Sequence, residues 1–174
     1  MTTEAAVPQP IPLEAAAMRK VLGHFCTGIA VITGHDGQRP IGFTCQSVTS
    51  VSLDPPYISF CPARTSKSWP RIRATGAVCV NILAADQREI CGRFAVSGGD
   101  KFAAVRWKRA ANGAPALEGV LASIEADIVF EHVAGDHTIV VAHVTSLWAQ
   151  ENREPLLFFR GRYGEFAADL GLEL

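Results

Sequence analysis

Ile124-Glu125-Ala126-Asp127-Ile128-Val129-Phe130-Glu131, followed shortly by Thr138-Ile139-Val140-Val141-Ala142-His143-Val144-Thr145-Ser146-Leu147-Trp148, decides the architecture. In the first segment Ile124, Ala126, Ile128 and Phe130 alternate with Glu125, Asp127 and Glu131. A period of two belongs to a half-exposed β-strand. The second segment puts Val140, Ala142, Val144 and Trp148 on one side, and residues 133–137 turn the chain between the two. The pair reads as a long hairpin.

Upstream the same signals recur. Residues 29–33 and 41–45 are strand-like and flank His35-Asp36-Gly37-Gln38-Arg39, whose Asp-Gly pair favours a hairpin turn. Asp54-Pro55-Pro56 launches a strand over 57–61, and residues 78–83 form another. Three short helices interrupt them. Leu13, Ala17, Val21, Leu22 and Phe25 recur near helical spacing over 13–25, with Gly28 just beyond. Residues 66–74 form the second helix, capped by Ser66 or Ser68 and closed near Gly76. Asp86 with Glu89 has capping-box spacing and opens a third that runs to Phe94. Ser97-Gly98-Gly99-Asp100 and Ala111-Asn112-Gly113 mark loops, and residues 156–159 form a last strand before Arg160-Gly161-Arg162-Tyr163. Six or more strands on short turns, without long helical crossovers, predict an all-β-dominated domain built as a closed antiparallel barrel.

The chain of 174 residues fits one domain. Its expected layout is a disordered lead over 1–12, a domain over 13–166 and a tail over 167–174. Sixteen basic residues against seventeen acidic ones leave no basic stripe for a phosphodiester backbone, so nucleic acid is not an expected partner. The longest apolar runs, such as 139–144, are strand-sized, which argues against a membrane span. The first twelve residues, with Glu4 and three prolines, lack the pattern of a secretory leader, so a cytoplasmic location is expected. Cys26, Cys45, Cys61, Cys79 and Cys91 contain no C-x-x-C pair and no clustered ligand spacing. They read as apolar fillers in a reducing compartment, and no metal site is expected.

Three stretches point to chemistry. Gly42-Phe43-Thr44-Cys45-Gln46-Ser47 ends a strand in small and polar residues, the edge that a flat hydrogen-bonding heterocycle needs, or an ordinary strand exit. In Cys61-Pro62-Ala63-Arg64-Thr65-Ser66-Lys67-Ser68-Trp69, hydroxyls, an ammonium and free N–H groups meet at a predicted helix start. That combination suits a phosphate, and equally suits two caps beside a solvated lysine. Gly135-Asp136-His137 sits in the long hairpin, placing an imidazole at a barrel rim or merely bracing the turn. No Ser-His-Asp order, H-E-x-x-H or G-x-G-x-x-G is present. Ring-shaped and phosphate-shaped sites without catalytic machinery of their own point to a borrowed cofactor.

The motifs F-C-T-G-I-A-V-I-T (25–33), P-I-G-F-T-C-Q-S (40–47), S-L-D-P-P (52–56), S-K-S-W (66–69), V-N-I-L (80–83), G-D-H (135–137) and R-G-R-Y (160–163) occur in one order and at one spacing. Together, from about residue 18 to 166, they resemble the flavin reductase family, the reductase components of two-component flavin-dependent monooxygenases. Within it the chain looks most like the partners of actinobacterial aromatic-ring and steroid hydroxylases.

The resemblance implies a six-stranded antiparallel split β-barrel of Greek-key type that forms a homodimer. It further implies NAD(P)H-dependent reduction of FMN or FAD by hydride transfer from NADH or NADPH, and a partner oxygenase that receives the reduced flavin by diffusion. It would place Thr44, Cys45, Gln46 and Ser47 at the flavin ring edge, with Ser59 and Cys61 flanking the ring. Ser66, Lys67 and Ser68 would meet the phosphate, and Phe94 and Lys101 would approach the flavin or its phosphate. His137, the catalytic candidate, would lie where nicotinamide docks, with Tyr163 near the same mouth. Cys45-Gln46 stand where many members carry smaller or different residues, which leaves the choice between FMN and FAD open. A flavin-binding or sensing module on the same fold would bind without turnover. An oxidase of the pyridoxamine-phosphate type would want a denser set of arginines, and a purely structural dimer would have no use for the clustered serines.

Overall fold

The computed structural model describes residues 10–167. Along the chain run α1 (Ala15–Leu22), β1 (Thr27–Gly28), β2 (Ala30–His35), β3 (Pro40–Cys45), β4 (Thr49–Leu53), β5 (Pro56–Phe60), α2 (Trp69–Arg73) and β6 (Ala77–Ile82). A 3₁₀ turn (Ala85–Gln87) then leads into α3 (Arg88–Ala95), β7 (Trp107–Arg109), β8 (Pro115–Leu117), β9 (Ala122–Ala134), β10 (His137–Ala149), β11 (Leu157–Phe159) and β12 (Arg162–Gly164). Of the expected lead, residues 1–9 lie outside the described residues, as do residues 168–174 of the expected tail.

The main sheet has seven strands in the order β3-β2-β6-β9-β10-β5-β4, antiparallel throughout. Its strand count differs from the six expected, because β4 adds to one edge through its hairpin with β5. Thr49-Ser50-Val51-Ser52-Leu53 was not among the expected strands, and its Val51 and Leu53 are exposed. Pairing with β5 makes this strand, not burial. The sheet is coiled, since Ile41 and Phe43 near one edge share a single core with Ile58 and Phe60 near the other. β3 and β4 remain the two edge strands.

β2 is buried on both faces, which its near-continuous apolar run dictates. Ile32 joins the inner core with Phe43, Phe60 and Trp69. Val31, facing the other way, joins Phe94, Phe102 and Leu156 beneath α3. Asn81, fully buried, is satisfied by donating to the Val31 carbonyl at 3.1 Å and accepting from Leu117 N–H at 2.7 Å.

The long hairpin forms as expected, with a two-residue tip at Gly135-Asp136 and Gly135 at φ +61°. Its one-sided alternation does not hold throughout. Val129 on β9 and Thr145 on β10 are bulged, and each extra residue reverses the faces beyond it. Phe130 and Trp148 consequently turn outward, 54% and 52% exposed.

Two helix starts also differ from expectation. α2 spans only five residues, and Ser66 Oγ accepts the Trp69 N–H at 3.2 Å while Ser68 makes no side-chain cap. Ahead of α3, Gln87 Oε1 accepts the Ala84 N–H at 3.0 Å, and Asp86 pairs with Arg153 instead of capping. α1 is shorter than 13–25 and buries no residue.

Candidate functional site

β3, the segment after β5, the lead into α2, the end of α3 and the start of β10 converge on one groove of about 570 Å³. Thr44, Cys45, Gln46, Ser47, Cys61, Ser66, Lys67, Ser68, Phe94, Lys101 and His137 all line it. Phe43, Pro62, Ala63, Thr65 and Ser97 also line the wall and were not among the candidate residues read from sequence. Phe43, Pro62 and Thr65 each adjoin a residue that was, while Ala63 and Ser97 carried no signal of their own.

Ser47 joins the two sides of the groove. Its Oγ accepts the Cys61 N–H at 2.9 Å and lies 3.3 Å from the Cys45 sulfur. Burial pushes the Cys45 thiol up, so it stays neutral. The Thr44 hydroxyl points away from the groove and donates to the Cys91 carbonyl at 2.7 Å. What this side offers a ligand is therefore backbone and the exposed Gln46, around an apolar floor that includes Phe43.

The opposite corner is polar. Lys67 is exposed and joins no ion pair among the described residues. Its ammonium, its N–H and the Ser68 hydroxyl are free of protein partners there, while Ser66 is occupied in capping Trp69. One and a half turns of helix add little dipole, so any phosphate affinity rests on these local donors.

Phe94 and Lys101 reach the groove wall with their side chains already engaged. The Phe94 ring is 1% exposed, packed edge-on against Phe102 at 4.9 Å between centroids. Lys101 Nζ donates to the carbonyls of Gly42 at 3.2 Å and Phe94 at 3.1 Å, and burial lowers its pKa. The lysine braces α3 against β3 at the groove wall rather than standing free for an anion.

His137 opens β10 at the rim, its side chain 45% exposed. Nδ1 meets Asp136 Oδ1 at 2.9 Å, an interaction that holds the Asp136 carboxyl below the usual carboxylate range. Nε2 has no protein partner among the described residues. The Arg64 N–H donates to the Asp136 carbonyl at 2.9 Å and the Thr138 N–H to Pro62 at 3.0 Å, clamping the tip to the segment after β5.

Ser59 and Tyr163 do not line the groove. Ser59 is registered between Thr49 and Val141 within the sheet. Tyr163 borders a separate cavity of about 320 Å³, where its hydroxyl donates to the Cys91 sulfur at 3.4 Å and the Arg88 guanidinium sits 4.6 Å from its ring centre.

An apolar floor, a backbone edge and a corner of cation and hydroxyls fit a flat heterocycle that carries a phosphate. Residues 22–167 match the family described as the flavin reductase like domain. The chain belongs to the flavin reductase family. It is 43% identical over 151 residues to the reductase subunit HsaB of a flavin-dependent monooxygenase from Rhodococcus jostii, covering 87% of this chain and 77% of that one. It is 41% identical over 169 residues to a flavin reductase of Pseudomonas putida, covering 97% and 99%. Among solved structures it superimposes on the NADH:FAD oxidoreductase of Streptomyces globisporus, in complex with NAD and FAD fragments. There the TM-score is 0.88 at 34% identity, covering 94% of this chain and 99% of that one. Among the described residues no helix is long and apolar enough to cross a membrane.

Proposed function

We propose that this flavin reductase family member uses NADH or NADPH to reduce FMN or FAD and releases the reduced flavin to a separate monooxygenase. The observation that carries the reading is the convergence of eleven of the thirteen candidate residues on one groove, in a chain that matches the family over residues 22–167. A flavin supplies the chemistry when bound, accepting a hydride from a nicotinamide and passing the electrons onward.

The chain's own residues bind and orient. Residues 44–47 present the backbone edge, with Ser47 fixing its distance from Cys61. Lys67 and Ser68 hold the phosphate. His137 sits at the rim, where Nε2 can bond the nicotinamide amide while Asp136 sets the ring's orientation through Nδ1. An open groove with few fixed cations favours modest affinity, which a reductase that gives up its product requires.

The working unit is a homodimer, in which the coiled sheet serves as a split barrel. α1 exposes Val21 and Leu22, flanked by exposed Leu13 and Phe25, and the far end of β9 exposes Phe130 on its outer face and Val133 on the other. A helix of eight residues has marginal stability without packing, so a second copy is the fitting cover. A light-scattering mass twice the chain's 18.6 kDa supports this, and a mass of one chain at micromolar protein opposes it. The function itself is tested by assaying NADH and NADPH oxidation with and without added FMN or FAD. Oxidation that requires flavin supports it, and flavin binding without turnover replaces it with a storage or sensing role.

A further inference from the structure

The groove does not end at Lys67. A second cavity, about 590 Å³, shares Lys67, Ser68, Gly98 and Lys101 with the first and continues to Arg39 and Arg71. The two spaces adjoin at the lysines and are of nearly equal volume.

The far half is positively charged. Arg39, Lys67, Arg71 and Lys101 line it against a single carboxylate, Asp100, whose Oδ1 accepts the Phe102 N–H at 3.0 Å. Two of the four cations are already engaged. Arg71 pairs with Asp36, and Lys101 is bonded to the carbonyls of Gly42 and Phe94. Arg39 and Lys67 join no ion pair among the described residues.

Arg39 is also held in place. Asp36 Oδ1 accepts its backbone N–H at 2.9 Å, and the same carboxylate pairs with Arg71 on α2. One acidic residue thus fixes the hairpin end that carries Arg39 relative to the helix that carries Arg71. Ile41 and Phe102, both largely buried, give the cavity an apolar side.

FAD is FMN extended through a second phosphate by an adenosine. Two adjoining cavities, with one phosphate corner at Lys67 on their shared border and then a further unpaired guanidinium and an apolar wall, match that extension in order. We propose that the second cavity seats the adenylate half of FAD, that FAD is the preferred flavin, and that Arg39 is the specificity-determining residue for the second phosphate. This rests on the reading of the first groove as the flavin site. The same charge could instead meet the 2′-phosphate of NADPH, and the test separates these two sources.

Wild-type protein, Arg39→Ala and Arg39→Lys are titrated with FAD, FMN and NADPH separately, following flavin fluorescence for the first two and calorimetry for the third. FAD is expected to bind wild type about 10-fold more tightly than FMN. Arg39→Ala should weaken FAD by about 5- to 10-fold, leave FMN within about 2-fold, and leave NADPH unchanged, with Arg39→Lys between wild type and Ala for FAD. Equal wild-type affinities for the two flavins, or equal losses for both in Arg39→Ala, would overturn the assignment while leaving the flavin site intact. A loss confined to NADPH would give the cavity to the nicotinamide nucleotide and overturn it equally. Failure of wild type to bind either flavin would remove the flavin site and this extension together.

Discussion

Gly42 and the ring of Phe94 occupy adjoining space with no room for one more carbon. A Cβ built on Gly42 would meet Phe94 Cε1 at 2.7 Å and Cδ1 at 2.9 Å. Phe94 cannot yield easily, being 1% exposed and packed against Phe102. The contact seats α3 on β3 at the groove, and Lys101 reinforces it by bonding the carbonyl of each residue.

Gly42→Ala should therefore cost about 1–3 kcal/mol of folding stability, the scale of overpacking, and should weaken flavin binding because the wall moves. Chemical denaturation and flavin titration of the same preparation check it. An unchanged denaturation midpoint would mean that α3 shifts freely, contrary to the packing described.

Lys67 and Lys101 should separate cleanly. Lys67→Ala should weaken FMN binding by about 1–3 kcal/mol, the loss of a charge-assisted hydrogen bond, with thermal stability unchanged. Lys101→Ala should lower stability first, since it frees two carbonyls at a part-buried position. Flavin titration beside thermal unfolding distinguishes them. Equal effects of the two substitutions on both quantities would refute the division.

His137→Ala should raise the apparent KM for NADH or lower kcat by about 10-fold, the value of one good hydrogen bond, while the flavin dissociation constant stays put. The alternative is a brace for the Gly135-Asp136 tip, which would appear as lost thermal stability with unaltered NADH kinetics. The tip is already clamped through the backbone by Arg64 and Thr138, which favours the kinetic outcome.

The cysteines should differ in reactivity and in pH response. Cys26 is exposed and Cys61 lines the groove, so both should be alkylated in native protein, Cys61 more slowly once FMN is added. Cys79 is fully buried, and desolvation pushes its thiol from about 9 up to about 12. Its folded pKa is raised, so the stability tied to the neutral thiol is present below about pH 9 and lost as pH rises toward 12. Denaturation at increasing alkaline pH should show wild type losing stability faster than Cys79→Ala. Peptide mass analysis that finds Cys79 alkylated before Cys61 would contradict this ordering.

Much of this was legible in the residues. The hairpins at Asp36-Gly37 and Gly135-Asp136 follow from turn chemistry, and β2 from its apolar run. The groove was legible as three separate segments, since residues 44–47, 61–68 and 135–137 each break a local pattern with small or polar groups. Illegible were the features set by pairing and packing. The bulges at Val129 and Thr145, which turn Phe130 and Trp148 outward, arise from register between strands. β4 forms because β5 offers an edge. The two carbonyls that Lys101 bonds, of Gly42 and Phe94, are brought together only by the fold, and Tyr163 is carried to a neighbouring cavity by pairing of β11 with β12.

The central claim is that the groove reduces flavin and lets it go. The direct measurement is anaerobic mixing of a small amount of protein with excess FMN or FAD and NADH or NADPH, following loss of oxidised flavin absorbance. Many equivalents of flavin per chain should bleach, at a rate proportional to protein, and none without nicotinamide. Bleaching that stops at one equivalent per chain, or its absence with every pairing of nicotinamide and flavin, would contradict the account.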